Sequence, residues 1–327
     1  MKLVTLIAKD RSYHIGVLLP DTKQIIDLYE YEPCSLHQNM VELIRAQERA
    51  LPEIEKVIKK AKSGDLPKNC FIEERDALLT SPIPEPISCR DGYAFRQHVE
   101  SARRGRGLPM IEEFDHFPIF YFTNHLAITG PGEIFVMEKA LERLDFELEV
   151  AIVIGKEGRN IPANKADDYI FGYMIMNDWS ARALQTEEMK LNLGPAKGKD
   201  FATSLGPYLV TRDELKAKLV SGTSGANTTG EKYNLTMKAF HNGKQVSLGN
   251  LKDMNWSFAQ IIERASYGVT LRPGEVIGSG TVGTGCYMEL NLTTLKDQPV
   301  WLKPGDEFAI EVDELGRLEN TIRKENA

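Results

Sequence analysis

Two acidic residues stand two positions apart inside an apolar run, in the segment from Leu144 to Ile152. Residues two apart in a strand point to the same side, so Glu147 and Glu149 would share one face and their apolar neighbours the other. Carboxylates about 7 Å apart repel each other unless a cation lies between them. The pair alone favours a solvated outer face over a metal site. Asp145 could merely cap the strand.

A third carboxylate, Asp178, ends another apolar run, just before a predicted helix from Trp179 to Lys190. It could cap that helix, or it could be a functional carboxylate at the end of a strand. Arg182 and Gln185, three apart on the helix, would lie side by side as hydrogen-bond donors. From these residues alone, a capped helix with ordinary surface side chains is as good an interpretation as a functional site.

Two glycine-containing segments and one histidine complete the candidates. Lys199 follows Gly198 in a loop where glycine would let the backbone approach a ligand. The run from Gly278 to Gly285 lacks the GxGxxG spacing of a dinucleotide fold and is a weak signal alone. His98 belongs to the residue type best suited to general-base catalysis near neutral pH, although a lone histidine is more often structural.

Short β-like runs must position most of these residues, and the hairpin signal at Asn242-Gly243 is the strongest of them. The β-like runs after residue 81 include 146–154, 170–176, 208–210, 235–240, 276–280, 287–290 and 308–312. Helices are predicted at 179–190, 212–219 and 258–266. Before residue 81, helical spacing from Asn39 to about Ala61 predicts two helices that are separated at Pro52.

Three prolines within residues 82–86 are the best boundary signal in the chain. They predict a small α+β N-terminal domain over residues 1–80 and a larger domain over residues 81–327. The larger domain is expected to be mostly β with a few surface helices, so that the whole chain is α+β.

The composition excludes several classes of function. Of 327 residues, 42% are hydrophobic and 27% charged, so the chain can bury a core and is not disordered. The net charge is -7, and the short basic run at Arg103, Arg104 and Arg106 is too small for a nucleic-acid surface. No apolar stretch approaches the roughly 20 residues of a membrane helix, and the N-terminus turns polar too early for a signal peptide. Four scattered cysteines predict reduced thiols and a cytoplasmic protein. The charge and the lack of a long apolar stretch predict no nucleic-acid and no membrane partner.

Together these segments resemble the fumarylacetoacetate hydrolase family, from about Asp91 to Glu311. The most specific pieces are the Glu-x-Glu pair and the run Met176-Asn177-Asp178-Trp179-Ser180-Ala181-Arg182. Gly198-Lys199 and Gly278-Ser279-Gly280-Thr281 then follow in the family's order. The resemblance implies that the large domain has the family's mixed β-roll or barrel fold and that the chain forms a homodimer.

The resemblance also implies a role for each matching residue. A divalent metal, Mg²⁺ first with Ca²⁺ or Mn²⁺ as alternatives, would be held by Asp91, Glu147, Glu149 and Asp178. His98 would be the general base, paired with Glu289 in the strand after the glycine-rich loop. The substrate and oxyanion contacts would be Arg182, Gln185 and Lys199, and the residues lining the substrate pocket would be Tyr93, Tyr121, Gly280 and Thr281.

Some positions depart from the fumarylacetoacetase branch of the family. Where that branch has an arginine soon after its histidine, this chain has Gly107, with Arg106 one residue earlier as the candidate substrate contact. The tyrosine expected after Gln185 falls near Met189. Smaller family members use His-x-x-Glu on a lid, but Ser101 stands at that glutamate position, so the chain follows the hydrolase branch. The segment 101–117 is either a lid over the substrate or a solvated linker.

The expected activity is metal-dependent hydrolysis of a carbon–carbon bond in a 2,4-dioxo acid, fumarylacetoacetate or a related acylpyruvate. His98, oriented by Glu289, would activate the attacking water. The alternatives are decarboxylation of a 2-oxo acid, hydration or isomerisation of an unsaturated acid, and non-catalytic ligand binding on the same scaffold. A binding protein would need the carboxylates but not a general base, and the presence of both His98 and Glu289 therefore favours an enzyme.

Overall fold

Strands outnumber helices in the computed structural model, which describes residues 1–105, 107–220 and 229–325. The strands are β1 Lys2–Ile7, β2 Tyr13–Leu19, β3 Gln24–Asp27, β4 Phe71–Glu73, β5 Cys89–Gly92, β6 Phe120–Thr123, β7 Ile128–Thr129, β8 Gly132–Val136, β9 Leu144–Asp145, β10 Leu148–Ile154, β11 Gly158–Arg159, β12 Ile170–Asp178, β13 Ser180–Ala181, β14 Thr203–Thr211, β15 Thr236–His241, β16 Lys244–Asn250, β17 Thr270–Leu271, β18 Val276–Gly278, β19 Glu307–Val312 and β20 Gly316–Lys324. The α-helices are α1 Leu28–Tyr31, α2 Met40–Arg45, α3 Gln47–Ser63, α4 Arg96–Gly105, α5 Ala163–Ala166, α6 Arg182–Met189, α7 Phe258–Ser266 and α8 Tyr287–Thr293.

Two sheets carry most of the strands. The large sheet has the order β4-β3-β2-β1-β14-β12-β10-β18-β5-β6, with β7 pairing to β14, and the second has the order β16-β15-β19-β20-β8. The predicted class, mostly β with helices, is confirmed. The barrel expectation needs correction, because β4 and β6 end the large sheet without pairing to each other and neither sheet closes within the described ranges.

The N-terminal strands are part of the large sheet. β1 pairs antiparallel with β14, with Lys2 opposite Val210 and Leu3 opposite Leu209. The backbone pairing therefore continues from the first 80 residues into the strands that carry the candidate site. The domain boundary at residue 81 stays a prediction.

Strand β10 separates two apolar cores. Its even-numbered residues from Leu148 to Ile154 pack toward the second sheet, where the rings of Phe146 and Phe308 lie 4.2 Å apart between centroids. Its odd-numbered residues Ala151 and Val153 pack in a core that includes residues of α2 and α3. This alternation follows from the two-residue period of a strand. The positions before Ala151 on that face are Glu149 and Glu147.

Two predicted elements match the structure closely. The Asn242-Gly243 turn joins β15 to β16, with both residues at positive φ as a tight hairpin turn requires. Helix α7 has the predicted bounds and begins with a capping box, in which Ser257 and Gln260 satisfy each other's backbone N–H groups.

Two local predictions were wrong, and one of the two interpretations of Asp178 is excluded. The helical segment 40–63 breaks at Ala46 and not at Pro52, which lies inside α3. Pro52 has no N–H to donate to the carbonyl four residues earlier, but the proline is exposed, so water can bond to that carbonyl instead. Residues 287–290 form the start of α8 instead of a strand. Helix α6 begins at Arg182 without a side-chain cap, so Asp178 does not cap it.

Two further observations concern the whole chain. The four cysteines are free, and three of them are buried. Within the described ranges, no helix has both the length and the apolar composition needed to cross a membrane.

Candidate active site

Three of the four predicted metal ligands lie on strands of the large sheet. Asp91 is in β5, Glu149 is near the start of β10, and Asp178 ends β12. Strand β18 lies between β10 and β5, with Gly278 opposite both Ala151 and Asp91. The residues two positions away from each carboxylate on its own strand belong to the core beside α2 and α3. Because side chains alternate along a strand, the three carboxyl groups emerge on one face.

Gly278 allows two of these carboxyl groups to meet. A Cβ atom at residue 278 would lie 2.4 Å from Asp91 Oδ1 and 3.1 Å from Glu149 Oε2. Beyond it, the backbone N–H of Gly280 donates to the same two oxygens at 3.1 Å each. The hydroxyl of Thr281 donates to Glu149 Oε1 at 3.3 Å. The glycine-rich segment therefore contacts the carboxylates with its backbone, and no nucleotide-binding geometry is needed to explain its composition.

The carboxyl groups form a crowded, buried cluster. Asp91, Glu147 and Glu149 each bring one oxygen to within 4.8 Å of the other two. Burial, and after it the charge of Asp178, raises the pKa of Asp91 to about 8. Burial and then Asp91 raise the pKa of Glu149 well above its ordinary range. The solvated outer face favoured for Glu147 and Glu149 alone is therefore wrong, since both side chains are buried.

The cluster fits a divalent cation by the chemistry of its donors. Oδ1 of Asp178 is buried and has no hydrogen-bond partner among the described residues. Carboxylate oxygens are the ligands that Mg²⁺, Ca²⁺ and Mn²⁺ prefer. A cation would relieve the repulsion that otherwise favours protonation of the cluster.

Lys199 supplies one positive charge to this cluster. Its Nζ lies 2.5 Å from Glu147 Oε2 and 2.7 Å from Asp178 Oδ2. The loop that carries Lys199 packs directly on α6, because a Cβ atom on Gly198 would lie 2.8 Å from the backbone of Gln185. The predicted glycine-lysine pair therefore has a physical explanation: the glycine permits the close approach, and the approach delivers the ammonium group.

Arg182 supplies the second positive charge. Its Nη2 donates to Glu147 Oε1 at 2.7 Å and its Nε donates to Asp145 Oδ2 at 2.8 Å. Its Nη1 donates to Gln185 Oε1 at 2.9 Å, so the two residues lie together as predicted, but here the glutamine accepts. Burial would raise the pKa of Glu147, yet Lys199 and Arg182 outweigh it and lower this pKa to about 2. The two cations therefore hold Glu147 in its ionised form.

His98 and Glu289 form a buried pair beside the carboxylates. His98 Nδ1 lies 2.8 Å from Glu289 Oε2, and both residues are at most 3% exposed. Glu289 reaches His98 from helix α8, which corrects the strand expected for it. A ring nitrogen of His98, an oxygen of Glu147 and the sulfur of Cys286 all lie within 4.8 Å of one another. The structure thus brings the predicted base next to the predicted metal ligands.

The remaining predicted substrate contacts lie around this centre. The hydroxyl of Tyr121 donates to Asp178 Oδ2. The ring of Tyr93 meets the His98 ring edge-on, with 5.8 Å between ring centroids. Gly280 and Thr281 bind Glu149 as described above. Arg106 lies outside the described residues, so its predicted contact with substrate stays a prediction.

The segment 101–117 begins inside helix α4, where Ser101 is buried, and continues through a 3₁₀ turn at Glu112–Asp115. Phe114 is buried in this turn, and its carbonyl accepts a hydrogen bond from the indole of Trp256 at 2.9 Å. The far end of the segment is therefore anchored. For the rest of the segment, the lid and the linker both stay predictions.

Two residues near the site were underestimated from the sequence. Asp145 was expected at most to cap its own strand, but it accepts hydrogen bonds from the backbone of Tyr287 and Met288 and from Arg182. Cys286 was noted only as a scattered thiol, but its sulfur accepts from the backbone N–H of Glu289 at 3.4 Å. An aspartate inside an apolar run was the available signal, because a buried carboxylate needs partners.

The family assignment agrees with this geometry. The family model described as fumarylacetoacetate (FAA) hydrolase C-terminal matches residues 88–323. The chain therefore belongs to the fumarylacetoacetate hydrolase family, which is a family of enzymes.

Similar proteins of known sequence or structure extend over nearly the whole chain. The mitochondrial oxaloacetate tautomerase fahd2 of Xenopus laevis is 32% identical over 98% of this chain and 90% of its own length. The oxaloacetate tautomerase YisK of Bacillus subtilis (strain 168) is 28% identical over 94% of this chain and 95% of its own. A maleylpyruvate hydrolase from Sphingobium sp. SYK-6, solved with manganese(II) and pyruvate, has a TM-score of 0.69 at 21% identity and covers both chains fully. This last likeness shows the fold alone.

Proposed function

We propose that the protein is a divalent-cation-dependent keto–enol tautomerase of oxaloacetate or a closely related 2-oxo diacid. The observation that carries the proposal is the position of His98, held by Glu289 and within 4.8 Å of both a Glu147 oxygen and the Cys286 sulfur. Tautomerisation needs one group that moves a proton between carbon and oxygen, next to a centre that stabilises negative charge. The two oxaloacetate tautomerases of similar length support the choice of reaction and substrate.

Asp91, Glu147, Glu149 and Asp178 are the residues that would hold the cation. When bound, the cation supplies Lewis-acid stabilisation of the negative charge that develops on an enolate oxygen. Mg²⁺ is the first choice, with Ca²⁺ and Mn²⁺ as alternatives, and the manganese in the similar maleylpyruvate hydrolase is compatible with such a site.

The proton transfer is assigned to His98. Glu289 accepts the hydrogen on Nδ1, which fixes the tautomer and leaves Nε2 as the basic nitrogen. In the proposed reaction Nε2 takes a proton from carbon 3 of the 2-oxo acid and the protonated imidazole returns it to the enolate oxygen, so no atom is gained or lost. Lys199, with its charge beside the carboxylates, lowers the energy of an anionic substrate and of the enolate.

A second candidate is hydrolysis of the carbon–carbon bond in a 2,4-dioxo acid such as fumarylacetoacetate or another acylpyruvate. The buried His98–Glu289 pair favours it, because activation of water needs an oriented base. Water would lose a proton to His98 and add to the distal carbonyl, and the bond to carbon 3 would then break as carbon 3 is protonated. Arg182, Gln185 and Lys199 would stabilise the oxyanion, with Tyr93, Tyr121, Gly280 and Thr281 around the substrate.

Product analysis separates these candidates and the others that the sequence left open. The purified protein is assayed with oxaloacetate and a panel of acylpyruvates, with Mg²⁺, Mn²⁺ or Ca²⁺ added. A tautomerase leaves the mass of the substrate unchanged and accelerates its conversion between keto and enol forms, which absorbance reports. Hydrolysis gives two carboxylic acids, decarboxylation releases CO₂, and a ligand-binding protein leaves every substrate unchanged. Two acids from acylpyruvates, without acceleration of oxaloacetate tautomerisation, would replace the first proposal by the second.

Three coarser properties complete the proposal. We propose a homodimer, as the family resemblance implies, and light scattering coupled to size-exclusion chromatography measures this directly. The substrate would be a small anion in either case. We still predict that the protein is cytoplasmic, because its cysteines are free.

A further inference from the structure

Asp145 is fully buried and makes four hydrogen bonds. Its Oδ1 accepts from the backbone N–H of Phe146 at 2.9 Å and from that of Tyr287 at 2.7 Å. Its Oδ2 accepts from the backbone N–H of Met288 at 2.9 Å and from Arg182 Nε at 2.8 Å. One carboxylate therefore joins three parts of the chain: the residue that follows its own strand, the first turn of α8 and the first residue of α6.

The contacts with α8 determine where Glu289 lies. The first N–H groups of a helix have no partner inside the helix, and those of Tyr287 and Met288 are satisfied by Asp145. The next N–H, of Glu289, is satisfied by the sulfur of Cys286. Since Glu289 is the third residue of α8, fixing the first turn fixes the direction in which its carboxylate leaves the helix toward His98.

The contact with Arg182 determines where Glu147 lies. The guanidinium is held at Nε by Asp145 and donates from Nη2 to Glu147. A planar guanidinium anchored at one edge presents its other nitrogens in fixed directions. A continuous chain of contacts therefore runs from His98 through Glu289, the start of α8, Asp145 and Arg182 to Glu147.

We propose that Asp145 is a positioning residue that fixes the proton-transferring pair and the cation-binding carboxylates relative to each other. The inference rests on the proposed function only in assigning those two roles; the contacts themselves do not depend on the reaction. Catalysis by proton transfer next to a charge-stabilising centre requires both groups in one geometry. Asp145 contacts a neighbour of each group: helix α8, which carries Glu289, and Arg182, which donates to Glu147.

The experiment compares Asp145→Asn with the wild type by two readouts that need no turnover. The first is the affinity for Mn²⁺ alone, measured by calorimetry. The second is the NMR signal of the His98 Nδ1 proton, which reports its hydrogen bond to Glu289 and is assigned by its loss in His98→Gln. An asparagine amide has one acceptor oxygen where the carboxylate has two, and its NH₂ group would face either the N–H groups of Phe146 and Tyr287 or those of Met288 and Arg182. In either orientation the neutral amide also loses the ion pair with Arg182. We expect Mn²⁺ affinity to fall about 10- to 100-fold, as for other residues that orient metal ligands, and the His98 signal to shift or disappear.

Two variants test each end of the chain of contacts separately. Arg182→Gln should weaken Mn²⁺ binding and leave the His98 signal in place, whereas Glu289→Gln should alter the signal and leave Mn²⁺ affinity within about twofold. Glu142→Gln, an exposed change close in sequence, is the matched control and should alter neither readout.

A buried arginine without its partner is costly and could prevent Asp145→Asn from folding. The double variant Asp145→Asn/Arg182→Gln removes that charge as well. It should bind Mn²⁺ no more weakly than Arg182→Gln alone, because both changes act on Glu147 through one contact, and it should still alter the His98 signal. If a folded Asp145 variant changes only one readout or neither, Asp145 is a structural residue and the inference is overturned. A wild type that fails to tautomerise oxaloacetate would overturn the proposed function but leave this test intact.

Discussion

Asp91 and Glu149 lie on strands that are not neighbours, yet their carboxyl groups both accept a hydrogen bond from the backbone N–H of Gly280 at 3.1 Å. The strand between them, β18, presents a glycine at the point where the two side chains cross it. Two groups that repel each other are thus held together by backbone geometry. This arrangement leads to the first two predictions.

Gly278→Ala should disrupt the cation site more than the fold. The new methyl group would lie 2.4 Å from Asp91 Oδ1 and 2.7 Å from Met176 Sδ, so the carboxylate has to move. We expect Mn²⁺ affinity to fall at least tenfold and stability to fall by about 1–3 kcal/mol, the range for overpacking a core. Gly64→Ala is the control: it strains a helix end at φ 80 with open space around it, so it should lower stability without affecting Mn²⁺ binding. Equal Mn²⁺ affinity in the Gly278 variant and the wild type would contradict the close contact.

Without added metal, the protein should become less stable as the pH rises from about 4 to about 8. Burial raises the pKa of Asp91 from 3.8 to about 8, so across this window the folded state retains a proton that the unfolded chain releases. The folded state binding more protons means that stability decreases with pH, by at most ~1.4 kcal/mol per pH unit for one group. Urea unfolding in EDTA at several pH values measures the slope. Saturating Mn²⁺ should weaken or reverse this slope, because binding of the cation releases the proton; a slope unaffected by Mn²⁺ would argue against Asp91 as a ligand.

His98→Gln should reduce turnover without weakening cation binding. Its ring contacts Glu289 and does not belong to the carboxylate cluster, so removing it abolishes the proton carrier alone. A loss of about 10²- to 10⁴-fold in kcat is the usual contribution of a general base. Steady-state kinetics and Mn²⁺ calorimetry on the same preparation separate the two effects. Unchanged kcat with every substrate that the wild type converts would show that another group moves the proton.

Arg106→Ala should weaken kcat/KM for diacid substrates by about 10- to 100-fold, the scale of one charge-assisted hydrogen bond. A substrate with a single carboxylate should be affected much less, because the predicted contact is to the second carboxylate. Arg104→Ala, two residues earlier and exposed, is the matched control. Equal losses for both kinds of substrate would mean that Arg106 supports the segment instead of binding substrate, and no loss for either would favour the linker interpretation of 101–117.

The sequence predicted those parts of the site that depend on local periodicity. The two-residue spacing of Glu147 and Glu149 correctly placed both side chains on one face, opposite Phe146 and Leu148. It could not show that this face is buried, because that depends on β18 and β5, which come from distant parts of the chain. Burial changes the chemistry of the pair from two solvated charges into a cluster that favours a cation.

Helix α8 shows the same limit. The run Tyr287-Met288-Glu289-Leu290 is short and mostly apolar, and such a run is compatible with a strand or a helix. The choice is made by Asp145, whose carboxylate satisfies the first N–H groups of the helix from 142 residues away in sequence. Local propensity contains no information about that contact. The predicted break at Pro52 was wrong for a related reason. The helix tolerates this proline because it lies on the side of α3 that faces water, and the local sequence does not show which side that is.

The pairing of β1 with β14 has a practical consequence for shortened versions of the protein. β14 also pairs with β12, the strand that ends in Asp178, and β1 covers its other side at Lys2 and Leu3. Removing the first 80 residues would leave β14 as an open edge at Leu209 and Val210, in the same sheet as the cation site, with backbone groups free to pair with another molecule. A truncated enzyme would therefore tend to aggregate through the sheet that carries its own active site, and the N-terminal strands protect that sheet from self-association.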